Sequence, residues 1–151
     1  MCSPFRRAPS CLREPRPLCM SPMAAARTIA DFLHDTQTKP EDYDLILTGD
    51  LGLTGSKLLF ELLQKDNEID IETQHKDCGT MIFNLAEQDV NSGGSGCGCS
   101  ASVVCSHIMK NIKNGTLKKV LFVATGALMS PTSTKQGQSI PGIAHAVLLE
   151  K

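Results

Sequence analysis

The run Val120 to Ala124 (V-L-F-V-A) is apolar at every position, as suits a strand covered on both faces, and it therefore calls for helices above and below a sheet. The chain around it alternates between helix and strand signals. Ser21 is placed to cap a helix with Pro22 in its first turn, and Ala25, Ile29, Phe32 and Leu33 form an apolar face that ends where Thr36 to Glu41 break the pattern. Tyr43 to Thr48 reads as a short strand running into Gly49-Asp50-Leu51-Gly52. Ser56 to Lys65 reads as a second helix, with Leu58, Leu59, Leu62 and Leu63 inward. The clearest helix spans Ala101 to Lys113, with an apolar face of Ala101, Val104, Cys105, Ile108 and Ile112 and a left-handed stop at Asn114-Gly115. Ile143 to Leu149 is a further β run. Between Ile69 and Glu87 the pattern is irregular: Cys78 to Phe83 suits a strand or a loop edge, and Asp77 a turn cap. The expected class is α/β, one sheet sandwiched between helices, with no internal repeat.

Charge divides the 151 residues into two compositions. All five arginines (Arg6, Arg7, Arg13, Arg16 and Arg27) fall in the first 27 residues and all ten lysines follow them, although the whole carries a net charge of only −1. Residues 1–21 also concentrate proline and cysteine, which predicts a disordered leader, with a targeting or docking arm as the other reading, ahead of a folded domain at 22–151. The near-zero net charge gives no ground for nucleic-acid binding, and no apolar run is long enough to insert into a membrane.

Seven cysteines, an odd number without a signal peptide, point to reduced thiols in a cytosolic chain. The cluster Cys97-Gly98-Cys99 has C-x-C spacing, a poor match to paired C-x₂₋₄-C zinc knuckles, so no metal is expected. Cys105 is expected to pack as a small apolar residue.

The run Asn91 to Ser100 (N-S-G-G-S-G-C-G-C-S) delivers a flexible backbone to the start of the clearest helix. Gly96 to Ala101 formally fits G-x-G-x-x-A, yet no apolar strand precedes it, and the following strand ends in Ala124-Thr125-Gly126 without an acidic residue for a ribose. No G-K-[ST] follows, which removes a phosphate loop. Two readings stand: a helix N-terminus that cradles a carboxylate, a carbonyl or the pantetheine arm of a thioester, or close packing of the loop on its neighbours.

The strings Y-D-L-I-L-T-G-D-L-G (Tyr43 to Gly52), G-S-G-C-G-C-S-A-S (Gly94 to Ser102), A-T-G-A-L-M-S-P-T from Ala124 and S-I-P-G-I-A-H-A-V to Val147 resemble the C-terminal part of the stage V sporulation protein AD family of spore-forming bacteria. The resemblance covers roughly Met20 to Lys151. It implies the C-terminal half of a thiolase-like fold, a mixed sheet flanked by helices. It also implies a part in moving dipicolinic acid, with calcium, into the spore. Implied partners are dipicolinate, other spore channel proteins, and either the missing N-terminal half or a second copy. The implied location is cytoplasmic, with a peripheral place at the spore inner membrane.

Thiolase-like enzymes need a cysteine nucleophile from the first half and a base or oxyanion donors from the second. Where the resemblance places a histidine after the first strand, this chain has Gly49-Asp50. Where it places a polar partner in the glycine loop, Gly98 stands within one position. No cysteine occurs at Ala124 to Gly126. The implied function is non-catalytic, dipicolinate binding without a cofactor. The candidate ligand residues are Asp50, Ser95, Gly96, Cys97, Gly98, Cys99, Ser100, Thr125 and Gly126, with Gly98→Asp expected to abolish binding. One alternative is an acyltransferase of the ketoacyl-synthase kind using Cys97 or Cys99 on an acyl thioester. Another is a purely structural channel partner. His145, inside an apolar strand, is expected to be structural, and His34 to lie on a solvated helix end.

Overall fold

The computed structural model describes residues 17–127, 130–137 and 141–151. A four-stranded sheet has the order β2-β1-β3-β4, with β1 (Leu45–Thr48), β2 (His75–Asp77), β3 (Lys119–Ala127) and β4 (Gly142–Glu150). β1 runs parallel to both β2 and β3, and β4 returns antiparallel to β3, so the sheet is mixed. The α/β expectation holds.

Helices α1 (Pro17–Thr36) and α2 (Gly52–Asn67) cover one face of the sheet. Their buried Ala25, Ile29, Leu33, Leu59 and Leu63 meet Ile46, Leu121 and Val123. Each fully buried aliphatic side chain there contributes about 1.5–3 kcal/mol. On the other face Leu45, Leu47 and Val120 meet Cys78, Cys99, Val103, Ile108 and Ile112. Alternate residues of β1 and β3 thus enter opposite cores, which accounts for their unbroken apolar sequence.

Several elements depart from their expected bounds. α1 begins at least four residues before Ser21, and Pro22 lies inside it, so the boundary expected after residue 21 falls within a helix. Residues 1–16 of the expected leader lie outside the described residues. α2 begins at Gly52 rather than Ser56, because Asp77 accepts hydrogen bonds from the Leu51 and Gly52 N–H groups and so anchors its first turn. The segment Cys78–Met81 is a helical turn, α3, not a strand.

The helix after the glycine loop is continuous but not uniform. It comprises α4 (Cys99–Val103), a π turn (Val104–Ile108) and α5 (Met109–Asn114), ended by Gly115 at φ 80° as the sequence predicts. The π turn adds one residue between Val103 and Ile108, which moves the buried face to Cys99, Val103, Ile108 and Ile112. Ala101 and Cys105, expected inward, are exposed. His145 is also exposed, because β4 is an edge strand whose alternate residues Ala144 and Ala146 face the α1 core. His34 is exposed at the end of α1.

Candidate functional site

At the C-terminal ends of β1 and β3 the chain forms a cleft of about 480 Å³. Asp50 follows β1, Thr125 and Gly126 lie near the end of β3, and Ser95, Gly96, Cys97 and Ser100 come from the glycine loop and the start of α4. Seven of the nine candidate residues therefore share one wall. Ligands of open α/β sheets commonly sit outside strand C-termini of this kind.

The other two candidates are not in the lining. Gly98 is exposed, has φ −97°, and a Cβ built on it would meet nothing within 4 Å. A Cβ there neither strains the backbone nor meets a neighbour, and Gly98 stands outside the cleft lining. Cys99 is buried beneath the loop, and its thiol lies 3.9 Å from the Gly94 carbonyl. Ser21 of α1, Leu51 and Ala127 also line the cleft. Ser21 carries a sequence signal, but one for a helix cap.

Asp50 organises this wall. Its Oδ2 accepts hydrogen bonds from the Ser95 hydroxyl at 2.8 Å and the Gly96 N–H at 3.1 Å, while Thr125 Oγ1 lies 3.4 Å from Oδ1. Gly96 has φ +129°, a conformation open to glycine and costly for other residues. The first part of the loop has another task. Gly94 N–H donates to the Gly79 carbonyl at 2.7 Å, and a Cβ on Gly79 would collide with the Gly94 carbonyl. Ser92 ties the same stretch to α2, its carbonyl accepting from Leu53 N–H and its hydroxyl bonded to Thr54. Close packing thus accounts for Gly93 and Gly94, while Ser95, Gly96 and Cys97 open to the cleft.

Behind the turn after β1 lies a polar chain in which Thr48 and Asp77 are buried and His75 is half-buried. His75 Nε2 is 2.9 Å from Thr48 Oγ1, which donates at 2.7 Å to Asp77 Oδ2. Because the Thr48 proton points to Asp77, His75 must be the donor to Thr48, which fixes its Nε2–H tautomer. Burial pushes the His75 pKa down to about 4, partly offset by the Asp77 charge. The imidazole is therefore neutral at pH 7 and its role is structural: with Asp77 it holds the turn from which Asp50 projects.

The thiols differ in the same way. Burial, helped by the charges of Asp77, Cys99 and Asp50, pushes Cys78 up to about 12. Cys99 is raised by burial and by the Asp50 and Asp77 carboxylates. Both are protonated and inert at neutral pH. Cys97 is exposed in the cleft, and no histidine stands among the lining residues. Among the described residues no group of three or more His, Cys, Asp or Glu could hold a metal ion.

A family model described as Stage V sporulation protein AD (SpoVAD) matches residues 16–150. The chain belongs to the stage V sporulation protein AD family. The protein of that name from Bacillus subtilis (strain 168) is 48% identical over 128 residues, covering 85% of this chain. The match spans 37% of that relative, so this chain corresponds to well under half of it. Membership in the SpoVAD family supports a sporulation function. Among the described residues, no helix is long and apolar enough to cross a membrane.

Proposed function

We propose that this SpoVAD-family chain is a catalytically degenerate thiolase-like half that forms one wall of a dipicolinate-binding cleft. The observation that carries the reading is the cleft itself. It is built from the loop and strand ends, with hydroxyls at Ser95, Ser100 and Thr125, and neither a histidine nor Cys99 enters the lining. A volume of about 480 Å³ is of the size that small-molecule sites occupy. The planar ligand would lie against the wall formed by Gly96 and Gly126, where the absence of side chains allows close approach.

An acyltransferase would need an activated thiolate with an adjacent base. Cys99 is buried and its pKa is raised, and Cys97 has only the Asp50 carboxylate beside it in the lining. These features favour holding a ligand over making a bond. Calorimetry of the full chain with dipicolinate tests the proposal, alongside the variant Gly96→Ala. Binding that weakens at least about tenfold in the variant supports it, on the basis of a non-glycine residue's cost at positive φ. No heat of binding in the wild type, or equal affinity in a Gly96→Ala chain that still melts cooperatively, refutes it. A covalent adduct on Cys97 after incubation with acyl-CoA would instead establish the acyl-transfer reading.

A further inference from the structure

We propose that the open edge of β4 pairs with β4 of a second copy of this chain, antiparallel about a two-fold axis at Ala146, so that two four-stranded sheets join into one. The two edges of the sheet differ. β2 forms one with only three residues, too short to template another strand well. β4 forms the other with nine residues in unbroken register against β3, without a bulge. From Ile143 to Leu149 it carries no lysine and no proline, the residues that commonly guard such an edge.

One hydrogen bond fixes the direction of its polar groups. Lys151 N–H donates to the Lys118 carbonyl, so by the two-residue alternation of an antiparallel ladder the odd-numbered residues of β4 bond to β3. Ala144, Ala146 and Leu148 therefore turn their N–H and C=O groups away from β3. The Ala144 carbonyl accepts from Thr28 Oγ1 of α1 at 3.2 Å, which leaves it a second lone pair. Among the described residues no strand lies beyond this edge.

The side chains favour a second copy as the occupant. An axis at Ala146 lies at the middle of β4 and engages its whole length. It sets Ile143 of each copy opposite Leu149 of the other and His145 opposite Val147, which gives Ile143 and Val147, 55% and 47% exposed, neighbours on the same face. Glu150 falls opposite Gly142, so no like charges meet. The adjacent registers fit less well: an axis at His145 sets that imidazole against itself, and an axis at Val147 sets Ile143 against Lys151.

Sedimentation equilibrium of the full chain under reducing conditions, over a range of concentrations, tests this. The wild type is expected to show a concentration-dependent dimer. Ala146→Pro removes only an outward N–H and leaves the β3 ladder whole, and it should weaken the dimer by about tenfold or more through the two hydrogen bonds lost across the axis. Oxidation of Ala146→Cys should give a disulfide joining position 146 of the two copies, identified by peptide mass, because Cα atoms in such a pair lie about 5.5 Å apart. Ala144→Cys should not link to its own copy, which lies more than about 13 Å away. A wild type that is monomeric at every concentration, or that assembles beyond a dimer, overturns the proposal even if a variant fails to fold. So does an equally tight dimer in a folded Ala146→Pro chain, or a disulfide at position 144 in place of 146. Dissociation by Ile143→Lys with Val147→Lys but not by Ala146→Pro would move the contact from the strand edge to the sheet face and overturn it too.

Discussion

Acid should unfold this chain through His75. In the folded state its pKa is depressed from 6.5 to about 4 by burial, and its Nε2–H is committed to Thr48, whose own proton goes to Asp77. Above pH 6.5 the imidazole is neutral in both folded and unfolded states and titration contributes nothing. Between pH 6.5 and 4 the unfolded chain binds a proton that the folded chain refuses, so stability falls as pH falls. The depression corresponds to a loss of about 3 kcal/mol, an upper figure because His75 retains some exposure. For a chain of 151 residues each kcal/mol moves the melting temperature by about 2–4 °C, giving a drop of about 6–12 °C. Urea or thermal melts of the wild type and His75→Gln, from pH 7.5 to 4, isolate the effect. Glutamine can keep a donor near Thr48 but does not titrate, and other carboxylates cancel in the difference. The wild type is expected to lose stability relative to the variant across that window, with the gap levelling below pH 4. Parallel profiles would refute the reasoning.

Other perturbations separate the roles of neighbouring residues. Asp77→Ala strands the Thr48 hydroxyl and the Leu51 and Gly52 N–H groups and should cost about 3–5 kcal/mol in denaturant melts; a loss below about 1 kcal/mol would show that α2 does not depend on this anchor. Gly79→Ala drives a methyl into the Gly94 carbonyl and should cost about 1–3 kcal/mol, with faster hydrogen exchange at Gly94 as the local readout. Gly98→Asp, at an N-cap with open space, should leave dipicolinate affinity unchanged and stabilise by a few tenths of a kcal/mol in thermal melts; lost binding would return Gly98 to the site. On β4, Ile143 is 55% and Val147 47% exposed on the face shared with Phe122, so light scattering should show species larger than a monomer, shifted toward monomer by Ile143→Lys with Val147→Lys. A monodisperse wild-type monomer would refute that expectation.

What the sequence made legible was periodicity, and what it concealed was contact across distance. The apolar run at Val120 to Ala124 announced a strand between two helical layers, and Asn114-Gly115 announced the end of a helix, because both signals are local. The apolar stripe of the last long helix departs from its regular period for a local reason of another kind. One π turn shifts phase by a residue, and nothing in V-C-S-H-I marks it, so a uniform 3.6-residue period points Ala101 and Cys105 inward where the fold buries Cys99 and Val103. Asp77 was readable as a cap, but the helix it anchors starts 25 residues upstream.

The cleft follows the same logic. Asp50 and the loop lie 45 residues apart, and only the fold shows that the carboxylate engages the Ser95 hydroxyl and the Gly96 N–H. Sequence alone therefore favours an anion at a glycine-rich helix start, because it counts donors without seeing which are taken. The fold gives each glycine a separate meaning: Gly94 permits close backbone packing on Gly79, Gly96 a positive φ at the cleft wall, and Gly98 neither. With the donors spent on Asp50, the chemistry the cleft offers a ligand is that of a carboxylate framed by hydroxyls.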